Sequence, residues 1–160
     1  MKKYIFLSFL FILISTSAFS QLQKSEHLFG PSIGLFPKEK SAILGINYEY
    51  MLMEKFNGLI GIGGVVRYWS VTKENVNFSY TFLGGQANYH FHKLGDGKIE
   101  PFLGVVVGLN SIRNGDNGLW FWGQAGARYF FTPTLAISAR TGVGNNSFFH
   151  IEFGLDFKVK

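Results

Sequence analysis

The sequence contains no cysteine and only four prolines, and charged residues make up 16% of it. Without cysteine there is no disulfide framework and no lipidated N-terminal cysteine. Beyond residue 20 there is also no long apolar run, so no helix of about 20 apolar residues is available to cross a ~30 Å hydrocarbon core. No segment of helical period competes for the rest of the chain. Glycine and aromatics are abundant instead: 20 glycines in 160 residues, and 18% Phe, Trp and Tyr. The typical glycine share is roughly 7%.

The first twenty residues stand apart. Lys2 and Lys3 precede an eleven-residue apolar run, Tyr4 to Ile14, and then the small, polar stretch Ser15–Ser20. That is the anatomy of a secretory signal peptide over 1–20, cleaved near Ser20–Gln21. A single domain over 21–160 is expected after export. Lys2 and Lys3 are two of the 15 basic residues, which leaves 13 against 10 acidic ones, scattered rather than in runs. A scattered excess of that size gives no reason to expect a nucleic-acid partner.

The mature region alternates. In Phe149–Val159 the odd positions are Phe149, Ile151, Phe153, Leu155, Phe157 and Val159, with His150, Glu152, Gly154, Asp156 and Lys158 between them. A period of two is a strand signature that no helix keeps. The same period sets Ala42, Leu44, Ile46, Tyr48, Tyr50 and Leu52 against Gly45, Asn47 and Glu49. It sets Phe121, Gly123, Ala125, Ala127, Tyr129 and Phe131 against Trp122, Gln124, Gly126, Arg128 and Phe130. It recurs over 102–110 and 135–143, and more weakly over 28–36, 59–71 and 78–91, where Gln86, Asn88 and His90 share a face. Turn-rich segments at 37–41, 53–58, 73–77, 92–101, 113–118, 132–134 and 145–147 separate eight strands. The expected architecture is all-β: an eight-stranded antiparallel up-and-down transmembrane barrel.

Polarity assigns the faces. One face of each clear strand is large and apolar; the other carries Glu49, Arg67, Arg128, Arg140, Glu152 and Asp156 among glycines. A soluble lipocalin-like carrier would have the reverse arrangement, so the apolar face is expected to meet lipid. Aromatics at strand ends are expected to form two interfacial belts. One belt would hold Tyr48, Tyr50, Tyr89, Phe91, Tyr129, Phe131 and Phe157. The other would hold Tyr68, Trp69, Phe78, Tyr80, Trp120, Phe121 and Phe149.

Register follows from parity, because a slip of one residue flips every side chain. A three-residue loop Asn145–Ser147 places Arg140 opposite Glu152 and Gly142 opposite His150. A three-residue loop Thr132–Thr134 places Arg128 opposite Ser138. An interior ion pair Arg140–Glu152 is expected, within a structural network that includes Arg128, Glu49, Arg67 and Gln124. Trp122 and Phe130 are expected to help fill the lumen, since eight strands leave room for little more than side chains.

The signal sequence, the glycine- and aromatic-rich strands, the segment GARYFFTPTLAISARTGVG (126–144) and the ending FGLDFKVK (153–160) resemble the small outer-membrane β-barrel (porin-like, OmpA/OmpX-type) family of Gram-negative bacteria. The resemblance implies residence in the outer membrane, contact with its lipids and lipopolysaccharide, and biogenesis through periplasmic chaperones and the outer-membrane assembly machinery. Many members end in an aromatic that this machinery reads; here the last aromatic, Phe157, lies three residues inside the end.

Chemistry is sparse. A lipid A deacylase-like enzyme would need a nucleophile beside a His base, yet His-X-Ser does not occur. His90 and His92, with Asp96 nearby, lack a third fixed ligand of metal-site spacing; a wet position at one end of the barrel is expected for them. The glycine-rich stretches lack the Lys-Ser/Thr of a phosphate loop. No catalytic residue, cofactor or metal is expected. The reading is a non-enzymatic barrel with a filled interior and an envelope-structural or surface-interaction role, with the lipid-modifying enzyme and the soluble carrier as alternatives.

Overall fold

The computed structural model describes residues 22–91, 98–113, 115–145 and 148–160. The expected leader, His92 and Asp96 lie outside the described residues. Eight strands follow one another: β1 (His27–Phe36), β2 (Ser41–Lys55), β3 (Gly58–Lys73), β4 (Val76–Phe91), β5 (Ile99–Arg113), β6 (Gly118–Thr132), β7 (Leu135–Gly144) and β8 (Phe149–Val159). Each is antiparallel to the next and β8 closes on β1. Closure leaves no free sheet edge. Ladder groups then pair within the sheet, with one interruption at Gly30–Pro31 on the β1–β8 seam, which is the condition for crossing hydrocarbon on strands.

The alternation read from the sequence is realised in space. In β8 the odd-numbered apolar residues point outward and are exposed, while His150, Glu152 and Asp156 are buried. Leu44, Ile46, Leu103, Val105, Val107 and Leu109 are likewise exposed on the outer wall. The outside is apolar and the inside is charged, which is the polarity of a transmembrane barrel and the inverse of a soluble carrier's.

Two expected loops contract. The chain between β2 and β3 turns at Phe56–Asn57, and that between β3 and β4 at Glu74–Asn75. All four residues have positive φ: 53° and 61°, then 50° and 64°. Two-residue turns of this hand match the twist of the strands they join. Their cost, about 1–2 kcal/mol per non-glycine residue, is offset by continuing the ladder to the turn.

Inward residues still face inward ones at the β6–β7 hairpin, but by a different route. Thr132 pairs with Leu135, so the loop is Pro133–Thr134 rather than three residues. The register shifts between Phe130 and Thr132, leaving Phe131 as the extra residue of a bulge. That bulge supplies the parity change, and Arg128 still opposes Ser138. At β7–β8 Arg140 opposes Glu152 and Gly142 opposes His150. A second bulge, between Met51 and Met53, takes up Leu52.

The interior is layered. At the end where β1 begins and β8 finishes, Leu22, Leu28, Met51, Leu59, Phe130 and Ala136 form an apolar cluster. At the opposite end Phe36, Ile43, Trp69, Phe82, Trp122 and Phe148 form a larger aromatic one. The charged layer lies between them.

The aromatic belt at that second end needs correction. Tyr68, Phe121 and Phe149 are on the outer wall, but Trp69 is only 1% exposed, and Tyr80 and Trp120 pack against the interior cluster. Trp69 and Tyr80 stack at 4.9 Å and 4°. Trp69 has the parity of Arg67 two residues before it, and the pleat carries both inward.

Candidate functional site

The ionisable side chains of the charged layer come from inward positions of β2 to β8, Ser32 of β1 completes the ring, and the layer divides into two linked halves. Nearer the termini, Arg128 on β6 donates from Nε to Asp156 Oδ2 on β8 at 2.7 Å and from Nη2 to Glu49 Oε2 on β2 at 2.9 Å. Its guanidinium carbon lies 4.5 Å from the Phe102 ring centroid. Glu49 Oε1 also accepts from Asn88 Nδ2 at 2.8 Å. His90 stands between two carboxylates: Nε2 is 2.8 Å from Glu49 Oε1 and Nδ1 is 2.7 Å from Glu100 Oε1.

The half nearer the aromatic cluster centres on Arg67 of β3. Its Nε donates to Glu152 Oε1 at 2.7 Å and its Nη2 to Asn47 Oδ1 at 2.6 Å. Ser32 Oγ donates to the other Glu152 oxygen at 2.9 Å. Arg140 Nη1 reaches the same Asn47 Oδ1 at 2.7 Å, and Arg140 Nη2 donates to Ser138 Oγ at 3.2 Å. Arg140 joins the halves, because its Nη2 is also 3.7 Å from Asp156 Oδ1. Gln124 adds a neutral strut, donating from Nε2 to Asn88 Oδ1 at 2.7 Å and to Gln86 Oε1 at 3.1 Å.

All six residues of the expected interior network are therefore inside: Glu49, Arg67, Gln124, Arg128, Arg140 and Glu152 are each buried. The pairing within it differs from the expectation. Arg140 and Glu152 are cross-strand neighbours, but the carboxylate is held by Arg67 and Ser32, and Arg140 turns to Asn47, Ser138 and Asp156. In a lumen this narrow a guanidinium reaches across to any wall, so sequence register does not select its partner.

Asp156, expected on the inner face, joins the network as well, and Asn47, Asn88, His90 and Glu100 are members that were not expected. Their parity was available: Asn47 shares the inward face with Glu49, and Asn88 and His90 share one with Gln86. The wet position expected for His90 is overturned, since the side chain is fully buried between Glu49 and Glu100. Glu100 precedes Pro101, and β5 starts at Ile99, earlier than the apolar alternation from Phe102 indicated.

Three guanidiniums and the carboxylates of Glu49, Glu100, Glu152 and Asp156 sit in one desolvated layer, where each unpaired charge would cost several kcal/mol. A Cβ at Gly142 would strike the His150 ring and Trp122. Glycine on the inner wall is here a consequence of filling. Among the described residues no group of three or more His, Cys, Asp or Glu has metal-binding geometry.

No protein-family model matches the chain, and no curated protein sequence matches it. Solved structures do match in fold. A de novo designed transmembrane β-barrel superposes with a TM-score of 0.65 at 17% identity, over 87% of this chain and 99% of that one. The N-terminal β-barrel domain of Pseudomonas aeruginosa OprF gives 0.56 at 16% identity, over 85% and 98%. The outer-membrane enzyme PagL gives 0.52 at 16% identity, over 82% and 98%. The fold is that of the small transmembrane β-barrels of the outer membrane.

Proposed function

We propose that the chain is an exported outer-membrane barrel of a Gram-negative bacterium, closed to solutes, with a non-enzymatic role in envelope structure or surface interaction. The observation that carries this reading is the ion-paired layer sealed between two apolar clusters. A solute would have to break Arg67–Glu152 or Arg128–Asp156 and displace an apolar cluster at each end. Outer-membrane lipid and lipopolysaccharide are its surroundings, and periplasmic chaperones and the assembly machinery handle it during biogenesis.

An enzymatic reading shares its fold with PagL, and fold alone does not carry chemistry. On the outer wall His27 Nδ1 meets the Tyr48 hydroxyl at 2.8 Å rather than a serine or threonine. Three measurements decide. Membrane fractionation with heat-modifiable gel mobility is expected to place the chain in the outer membrane as a folded barrel; recovery as a soluble protein would overturn the localisation. Planar-bilayer recordings are expected to show no stepwise conductance, and steady steps would overturn the closed interior. Lipid A mass spectra of cells with and without the gene are expected to coincide; an acyl-chain difference would establish the enzyme instead.

A further inference from the structure

A recess on the outer wall lies where the apolar band meets a polar aromatic cluster. It is about 660 Å3 in volume and is lined by His27, Tyr48, Tyr50, Ile62, Gly63 and Gln86. Strand register explains its shape. His27, Tyr50, Ile62 and Ala87 form one outward row across β1–β4; Phe29, Tyr48, Gly64 and Gly85 form the next row, toward the middle of the wall. Gly64 and Gly85 are paired, so two adjacent strands lack side chains at the same height.

These two glycines differ from the inward ones. A Cβ at Gly64 would come no closer than 3.7 Å to any atom, and one at Gly85 no closer than 3.8 Å. Neither has a positive φ. Packing and backbone conformation therefore do not require glycine there, whereas at Gly61 a Cβ would run into Glu49. What the pair creates is a bare trough bordered by Tyr48, Ile62, Val66 and Leu83, running from the recess into the apolar band.

The recess end offers hydrogen bonding and positive charge. His27 Nδ1 is bonded to the Tyr48 hydroxyl at 2.8 Å, which leaves Nε2 as the ring's second polar atom. The Tyr50 ring packs on His27 at 4.9 Å, and its hydroxyl has no protein partner among the described residues. Lys24 and Lys160 are exposed at the same end, Lys160 following Val159, the partner of His27 in β8.

We propose that this outer-wall site holds one anionic phospholipid of the leaflet on the side of the termini. An acyl chain lies in the Gly64–Gly85 trough, and the phosphate is held by His27 and Tyr50 with Lys24 and Lys160 flanking. The charge favours an anionic lipid headgroup, and the trough runs into the apolar band as an acyl chain does. The inference rests on the transmembrane-barrel reading.

The test embeds the purified full chain in nanodiscs of equal phosphatidylglycerol and phosphatidylethanolamine, extracts it into mild detergent, and counts retained lipid by native mass spectrometry. Variants are His27→Ala with Tyr50→Phe, Gly64→Leu with Gly85→Leu, and Gly123→Leu as a control, since a Cβ at the outward Gly123 meets nothing within 4 Å. Wild type and the control are expected to retain one phosphatidylglycerol per barrel. Both site variants are expected to lose it about tenfold or more, the scale of one charge-assisted hydrogen bond or a filled trough. Equal retention in all four chains would overturn the proposal. So would a wild-type dimer mass abolished by the paired leucines, which would assign the trough to a second copy. Heat-modifiable mobility, read on every sample, reports separately whether the barrel reading itself fails.

Discussion

Arg140 faces Glu152 across β7–β8, yet the carboxylate of Glu152 is held from the opposite wall, by Arg67 at 2.7 Å. The partner is chosen by reach across the lumen and not by adjacency in the ladder. A double-mutant cycle separates the two relationships. Arg67→Met strands a buried carboxylate and is expected to cost about 3–5 kcal/mol. Arg140→Met is expected to cost less, because Asp156 keeps Arg128 and Asn47 keeps Arg67. Guanidinium unfolding in lipid, followed by fluorescence, measures both. A larger Arg140–Glu152 than Arg67–Glu152 coupling would reverse this assignment.

The tryptophans supply a second prediction. Trp69, Trp120 and Trp122 all belong to or pack on the interior aromatic cluster. Single-tryptophan variants retaining Trp69 or Trp122 are expected to emit at short wavelength and to be insensitive to brominated lipid. Strong quenching by bromolipid at either one would put it on the outer wall, where the belt expectation had placed Trp69.

Depth on the outer wall is testable by charge. Phe153 lies at the middle of β8 and is 61% exposed, whereas Phe157 lies near the strand's end. Phe153→Arg is expected to destabilise the barrel by about 2–4 kcal/mol and Phe157→Arg by roughly 0–1 kcal/mol. Equal costs would mean that the apolar band is not centred on β8's midpoint.

The β3–β4 turn carries Glu74 and Asn75 at φ 50° and 64°. Replacing them with Asn-Gly, the pair this turn type prefers, is expected to leave the fold unchanged and to raise stability by up to about 1 kcal/mol. A loss of stability in the same unfolding assay would show that the native side chains make contacts beyond the turn.

What the sequence determined by itself was the strand count, the face of each strand and the register of the last hairpin. Period-two patterning is local, and parity together with the shortest loop it allows at Asn145–Ser147 puts Arg140 opposite Glu152 once one face must be buried. Trp69 was readable by the same rule and was misread only because a belt was expected at strand ends. The bulges at Leu52 and Phe131 were not readable, since each is one residue taken up by twist with no composition signal. The partners of Arg67, Arg128 and Arg140, and the burial of His90 between Glu49 and Glu100, were decided by closure. Joining β8 to β1 brings inward side chains more than a hundred residues apart, such as Ser32 and Glu152, within hydrogen-bond reach. The bare pair Gly64–Gly85 likewise became a trough only when β3 and β4 aligned the two positions at one height.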